Sequence, residues 1–98
     1  MEFRCTFSGK LWKYGGTSSW WFISLTVEDS EDIEKFCSDR KRNFGSISVT
    51  ATVGKTCWQT SVFRDSKLNC YLLPVKSGVR RQEKLVEGSC VEVTIVVD

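Results

Sequence analysis

Ninety-eight residues with 14 Lys+Arg, 12 Asp+Glu and no histidine carry a formal net charge of +2. That length predicts one domain, 1–98, with a real core, and that balance lacks the strong basicity of a dedicated nucleic-acid binder. A 41% hydrophobic and 12% aromatic share excludes a disordered chain, and the missing histidine excludes Ser-His-Asp, Cys-His and histidine-zinc chemistry.

The first segment, MEFRCTFSGK, has no apolar h-region and no small-residue cleavage site. It alternates Phe3, Cys5 and Phe7 with Glu2, Arg4 and Thr6, the period of a strand with one buried face. Trp12 and Tyr14 follow, then the loop GGTSS. Residues 19–25, SWWFISL, are β-rich and predict a second strand. Trp20 and Trp21 are adjacent there, so they face opposite sides. Trp21 shares a face with Ile23, Leu25 and Val27 and is expected in the core. Trp20 shares the other face with Phe22, where either a helix covers it or it joins Trp12 and Tyr14 as a stacking surface for a ligand, a peptide or bases.

In 28–42, EDSEDIEKFCSDRKR, the residues Ile33, Phe36, Cys37 and Arg40 recur at helical spacing. Ser30 is the expected N-cap, with Glu31 and Asp32 in the first turn and Arg40, Lys41 and Arg42 in the last. The acidic group Glu28, Asp29, Glu31 and Asp32 reads as a solvated helix start rather than a cation site. The following SDRKRNFG has two readings. Cations suit a helix end, with Asn43 and Gly45 turning the chain, or Arg40, Lys41 and Arg42 contact phosphates.

Ile47, Val49, Ala51 and Val53 alternate with polar residues in the next strand. Val53-Gly54-Lys55-Thr56 imitates the end of a phosphate loop, but the glycine that loop needs is Val49, and a two-residue turn between strands accounts for Gly54-Lys55. Residues 56–63 and 69–73 predict two further strands. Pro74 is expected to open a helix at about 75–85, with Val75 and Val79 on one face and Lys76 and Arg80 four apart on another. Cations in the first half of a helix oppose its dipole and leave room for an anionic partner. Val91, Val93, Ile95 and Val97 alternate in the last strand.

The order is strand, strand, helix, strand, given twice. Ile47–Ala51 matches Val91–Ile95 at an offset of 44. The halves 1–54 and 55–98 are each too small to cover an apolar face, so they are expected to close together into a mainly β, six-stranded double-split barrel with two helices. One chain then holds both halves, and a monomer is expected. Five well-separated cysteines with no C-x-x-C pair read as reduced cytosolic thiols and not as a metal site. No stretch is long and apolar enough to span a membrane.

The run Phe44 to Val53, with Trp58, Thr60 and Ser61, Leu72 to Val75, and Arg80, resembles a family of small bacterial and archaeal proteins known only as a domain of unknown function. The resemblance covers nearly the whole chain. It implies a double-split β-barrel with helices at its ends, related to the swapped-hairpin barrels of AbrB-like transcription factors and MazE-like antitoxins. Where the family and the AbrB-like proteins commonly carry an acidic residue after the helix-ending glycine, this chain has Ser89-Cys90. The family supplies no catalytic residue.

The functional expectation is a non-catalytic, cytoplasmic module without cofactor or metal, binding a protein or small molecule. Its candidate site residues are Trp12, Tyr14, Trp20, Trp58, Thr60, Asp65, Tyr71, Lys76 and Arg80. The alternative is a regulatory nucleic-acid binder using Arg40, Lys41 and Arg42.

Overall fold

The computed structural model describes residues 2–15, 20–37 and 46–97. Six strands form an antiparallel closed barrel: β1 (Phe3–Lys13), β2 (Trp21–Ser24), β3 (Ser46–Val53), β4 (Thr56–Asp65), β5 (Cys70–Pro74) and β6 (Cys90–Val97). Helix α1 (Val27–Phe36) joins β2 to β3, and α2 (Ser77–Gln82) joins β5 to β6. Around the barrel the order is β1-β2-β5-β4-β3-β6. Closure removes free edges, and the alternating inward residues Val49, Ala51, Val93 and Ile95 are fully buried at its centre.

The duplication is visible in the pairing. Exchanging β1 with β4, β2 with β5, α1 with α2 and β3 with β6 leaves the ring order unchanged. The offset of 44 carries Ser46–Val53 onto Cys90–Val97, end for end. On the two long strands, Phe7 lies opposite Val93 and Thr60 opposite Val49, so Phe7 and Thr60 are mates at an offset of 53.

Each half holds a short hairpin. β1 pairs with β2 only from Leu11↔Ile23 to Lys13↔Trp21, and β4 with β5 only from Phe63↔Leu72 to Asp65↔Cys70. Beyond these pairs, the long strands turn to β6 and β3, while β2 and β5 pair with each other. The two partings are the splits of the barrel.

Both helix starts differ from the sequence expectation. Thr26, not Ser30, caps α1: it is extended, and its hydroxyl accepts from the Asp29 N–H at 2.9 Å. Ser30 lies inside the helix, fully buried, and its Oγ accepts from the Tyr71 N–H at 2.9 Å. Helix α1 ends at Phe36, and Arg40, Lys41, Arg42, Asn43 and Gly45 lie outside the described residues. The apolar stripe is as expected, with Ile33 and Cys37 buried and Phe36 packed against the core.

Pro74 does not open α2. It pairs with Phe22 at the end of β5, and Val75 extends the sheet through its N–H to the Trp21 carbonyl at 2.9 Å. The helix begins only after Lys76, which supplies no side-chain cap. It ends at Gln82 with Glu83 as its C-cap, followed by the left-handed Lys84 (φ 55°), and the Leu85 N–H returns to the Arg80 carbonyl at 2.8 Å.

The turn Gly54-Lys55 joins β3 to β4 as a two-residue loop with Gly54 at φ +57°. The Glu83 carboxylate sits over it, accepting from the Lys55 N–H at 3.3 Å and the Thr56 hydroxyl at 2.5 Å. This contact ties the end of α2 to the hairpin.

Candidate functional site

A groove of about 380 Å³ opens at the split between β4 and β5. After Phe63↔Leu72 the two strands diverge, and the gap is walled by Gln59 and Thr60 on one side and Pro74, Val75 and Lys76 on the other. Trp20, Trp21 and Trp58 supply indole walls, and Ser77 and Arg80 reach in from α2. Five of the residues singled out from sequence therefore meet here: Trp20, Trp58, Thr60, Lys76 and Arg80.

Each is positioned by an identifiable element. Trp58 faces inward opposite Ala51, whose small side chain gives the indole room, and it is 8% exposed. Thr60 is inward opposite Val49 and only half-buried. Arg80 lies over the Trp21 ring, its guanidinium carbon 4.6 Å from the centroid, and its Nε donates to the Val75 carbonyl at 3.3 Å. Lys13 approaches the same ring, its Nζ 5.9 Å from the centroid. A cation over an indole gains from the ring quadrupole, so Trp21 holds Arg80 in place without neutralising it. Among the described residues, no carboxylate lines the groove and none is paired with Lys76 or Arg80. The groove is therefore electropositive and partly aromatic.

The groove lies where the two halves differ. At the equivalent split of the first half, Phe7 stands where the second half has Thr60, and its ring is buried. Gly9 stands where the second half has Val62. A Cβ on Gly9 would come within 2.8 Å of the Ile23 side chain and 3.1 Å of the Ser24 carbonyl, so the missing side chain lets β1 lie directly on β2. Four residues after each helix cap, Ser30 is fully buried in α1 while Arg80 reaches the groove from α2. At one split Phe7 and Ser30 are buried and Gly9 brings β1 onto β2; at the other, Thr60 is half-buried and lines the groove with Arg80.

Next to the groove, on the outer barrel surface, lies an apolar shelf of about 330 Å³ lined by Tyr14, Trp20, Phe22, Phe63 and Leu72. It follows from cross-strand register. The Tyr14 N–H donates to the Trp20 carbonyl, Trp12 pairs with Phe22, and Leu72 pairs with Phe63. The Trp20 and Phe22 rings are parallel with centroids 6.1 Å apart, and Tyr14 meets Phe22 edge-on at 6.1 Å. Trp12 packs behind them, with its centroid 5.4 Å from that of Phe22 and its indole N–H donating to Ser24 Oγ at 3.0 Å. Trp20 is 58% exposed, Tyr14 55% and Phe63 45%, so of the two readings Trp20 takes the surface patch and not the helix cover. Trp20 lines both groove and shelf.

Trp21, expected in the core, is half-buried and serves both core and groove. Asp65 and Tyr71 do not line either surface. Asp65 shapes the β4–β5 turn, accepting from the Lys67 and Leu68 N–H groups at 2.8 and 3.0 Å. Tyr71 is fully buried, its hydroxyl donating to Glu34 at 3.4 Å beneath an Arg64–Glu34 ion pair of 3.1 Å. Phe63 escaped the sequence reading, although its strand parity, out of phase with Val62, marks it as outward.

All five cysteines are free. Burial, then the nearby Asp29 and Asp32, push the Cys5 thiol up to about 11, and burial and Asp65 also raise Cys70. Among the described residues, no group of three or more Cys, Asp and Glu side chains is placed to hold a metal, and no helix is long and apolar enough to cross a membrane.

Fold and site together define a small duplicated double-split β-barrel with one split filled and the other open. The chain belongs to the family described as Domain of unknown function (DUF1905), whose model matches residues 7–95. No curated protein matches it.

Proposed function

We propose that the protein is a non-catalytic binding module whose β4–β5 groove takes a ligand presenting an anionic group. The observation that carries this reading is the placement of Lys76 and Arg80, without a carboxylate partner among the described residues, in a groove walled by three indoles. An anion entering there meets the Lys76 ammonium and an Arg80 guanidinium already held over Trp21. The groove volume sits at the lower end of the range of ligand cavities, which suits a fragment-sized group.

The non-catalytic part of the proposal is supported by what the groove presents. Among the described residues its titratable side chains are Lys76 and Arg80, cations that the proposal assigns to anion binding, and no carboxylate or thiol stands beside them to activate a nucleophile. The proposal sets the module in the cytosol, in keeping with five free thiols.

The test is a titration with acetate, phosphate, benzoate and benzyl alcohol, following the Trp21 and Trp58 indole N–H resonances of ¹⁵N-labelled protein. The expected result is a saturable shift with at least one of the anions, weakened by Lys76→Ala and by Arg80→Ala, and none with the alcohol. Silence with every anion would overturn the reading.

A further inference from the structure

We infer that groove and shelf act as one two-part site for a small amphipathic anion, a planar aromatic body carrying a carboxylate or phosphate. The inference rests on the proposed anion-binding groove and adds the ligand's second half.

Large aromatic side chains on a soluble surface are informative when they are contiguous, and here Tyr14, Trp20 and Phe63 are each 45% exposed or more around one apolar concavity. A patch on a sheet surface could cover many things. What selects the occupant is its neighbour: Trp20 belongs to the shelf and also to the groove where Lys76 and Arg80 lie. A ligand lying on Trp20 therefore has an apolar side and a cationic side within its own length. The parallel Trp20 and Phe22 rings and the edge-on Tyr14 favour a flat π-face over a flexible chain, because stacked and edge-to-face contacts need rings. Each cavity alone is small, at 380 and 330 Å³, so each accepts a fragment and the pair accepts a two-part molecule.

The two cations also argue against a second copy of this chain as the occupant. A self-complementary contact would bring the Lys76 and Arg80 neighbourhood of one copy beside the same surface, with no acidic residue among the lining side chains to neutralise it.

The experiment compares benzoate, biphenyl-4-carboxylate, biphenyl-4-yl phosphate and the neutral biphenyl-4-methanol. Affinity is read from the Trp21 and Trp58 indole resonances, and extension onto the shelf from the Tyr14 and Phe63 ring resonances. The expected result is that one of the biphenyl anions binds about tenfold tighter than benzoate and shifts Tyr14 and Phe63 rings that benzoate leaves still. Tyr14→Ser and Phe63→Ser, both surface changes, should bring that anion back to benzoate's affinity without changing benzoate's own. Biphenyl-4-methanol should bind at least about tenfold more weakly than its anionic counterpart. Equal affinities for benzoate and the biphenyl anions overturn the two-part site while leaving the groove reading intact. Indoles that respond to no anion overturn the groove reading itself. Sedimentation showing a dimer that Phe63→Ser dissociates assigns the shelf to a second copy and also overturns the inference.

Discussion

Replacing Gly54 by alanine probes the contact that holds α2, and with it Arg80, over the open split. Gly54 has φ +57°, a region that costs an L-residue about 1 kcal/mol. Its new Cβ would fall well inside contact distance of Glu83 Oε1, and less severely on the carboxyl carbon at 2.9 Å. The carboxylate is the free end of a flexible side chain, so it swings away instead of resisting. What is then lost are its bonds to the Lys55 N–H and the Thr56 hydroxyl. One is exposed and the other half-buried, which together makes about 1–2 kcal/mol. Gly54→Ala should therefore destabilise by about 2–3 kcal/mol, a fall of about 10–20 °C in Tm for a domain of this size. Glu83→Ala alone should cost about 1–2 kcal/mol. On the Glu83→Ala background, Gly54→Ala should cost only the backbone strain, about 1 kcal/mol. Urea unfolding of the four proteins closes the cycle, with Gly78→Ala as a control. Nothing lies within 4 Å of a Cβ at Gly78, and a helical alanine there should be neutral or stabilising by about 0.5–1 kcal/mol. Additivity of the two changes within about 0.3 kcal/mol would refute the reasoning, because Glu83 would then not be coupled to the turn.

Three further predictions come from the broken twofold and from the thiols. Ser30→Ala removes the hydroxyl that accepts from the buried Tyr71 N–H, and should destabilise by about 1–3 kcal/mol in urea without changing the fold's circular dichroism. Thr60→Phe puts into the open split the residue that fills the closed one; it should abolish anion-induced shifts at Trp21 and Trp58 while the protein still unfolds cooperatively, and retained binding would show that the ligand enters elsewhere. Cys5, with its thiol raised to about 11, is almost wholly protonated at pH 8, whereas Cys57 and Cys90 are exposed. A thiolate-seeking reagent at pH 8 should modify Cys57 and Cys90 first, and Cys5 should gain reactivity only as the pH rises towards its own ionisation, read by peptide mass spectrometry.

The barrel was legible because strand parity is written directly into side-chain alternation. Ile47 to Val53 and Val91 to Val97 show their inward faces in the chain itself, and their offset of 44 is the spacing of β3 from β6. The helix starts were not legible in the same way. Thr26 and Ser30 are both able caps, and the choice is made by the Tyr71 N–H, 41 residues away, which needs the Ser30 hydroxyl. Pro74 suits a helix start equally well, but the Trp21 carbonyl draws Val75 into the sheet first. Residue chemistry, strand parity at Trp20 and the four-residue spacing of Lys76 and Arg80 brought Trp20, Trp58, Thr60, Lys76 and Arg80 forward. That they meet depends on the β4–β5 ladder ending at Phe63↔Leu72, a register that no single segment encodes. Trp21 illustrates the same limit: its parity is inward, but its depth depends on where the barrel opens.

The most direct test of the account is a crystal structure of the protein with biphenyl-4-carboxylate. The account predicts a closed ring of six strands, the carboxylate at Lys76 and Arg80 in the gap between β4 and β5, and the rings running over Trp20 towards Phe63. Density at the Phe7 and Ser30 side instead, or a sheet open between β3 and β6, would contradict it.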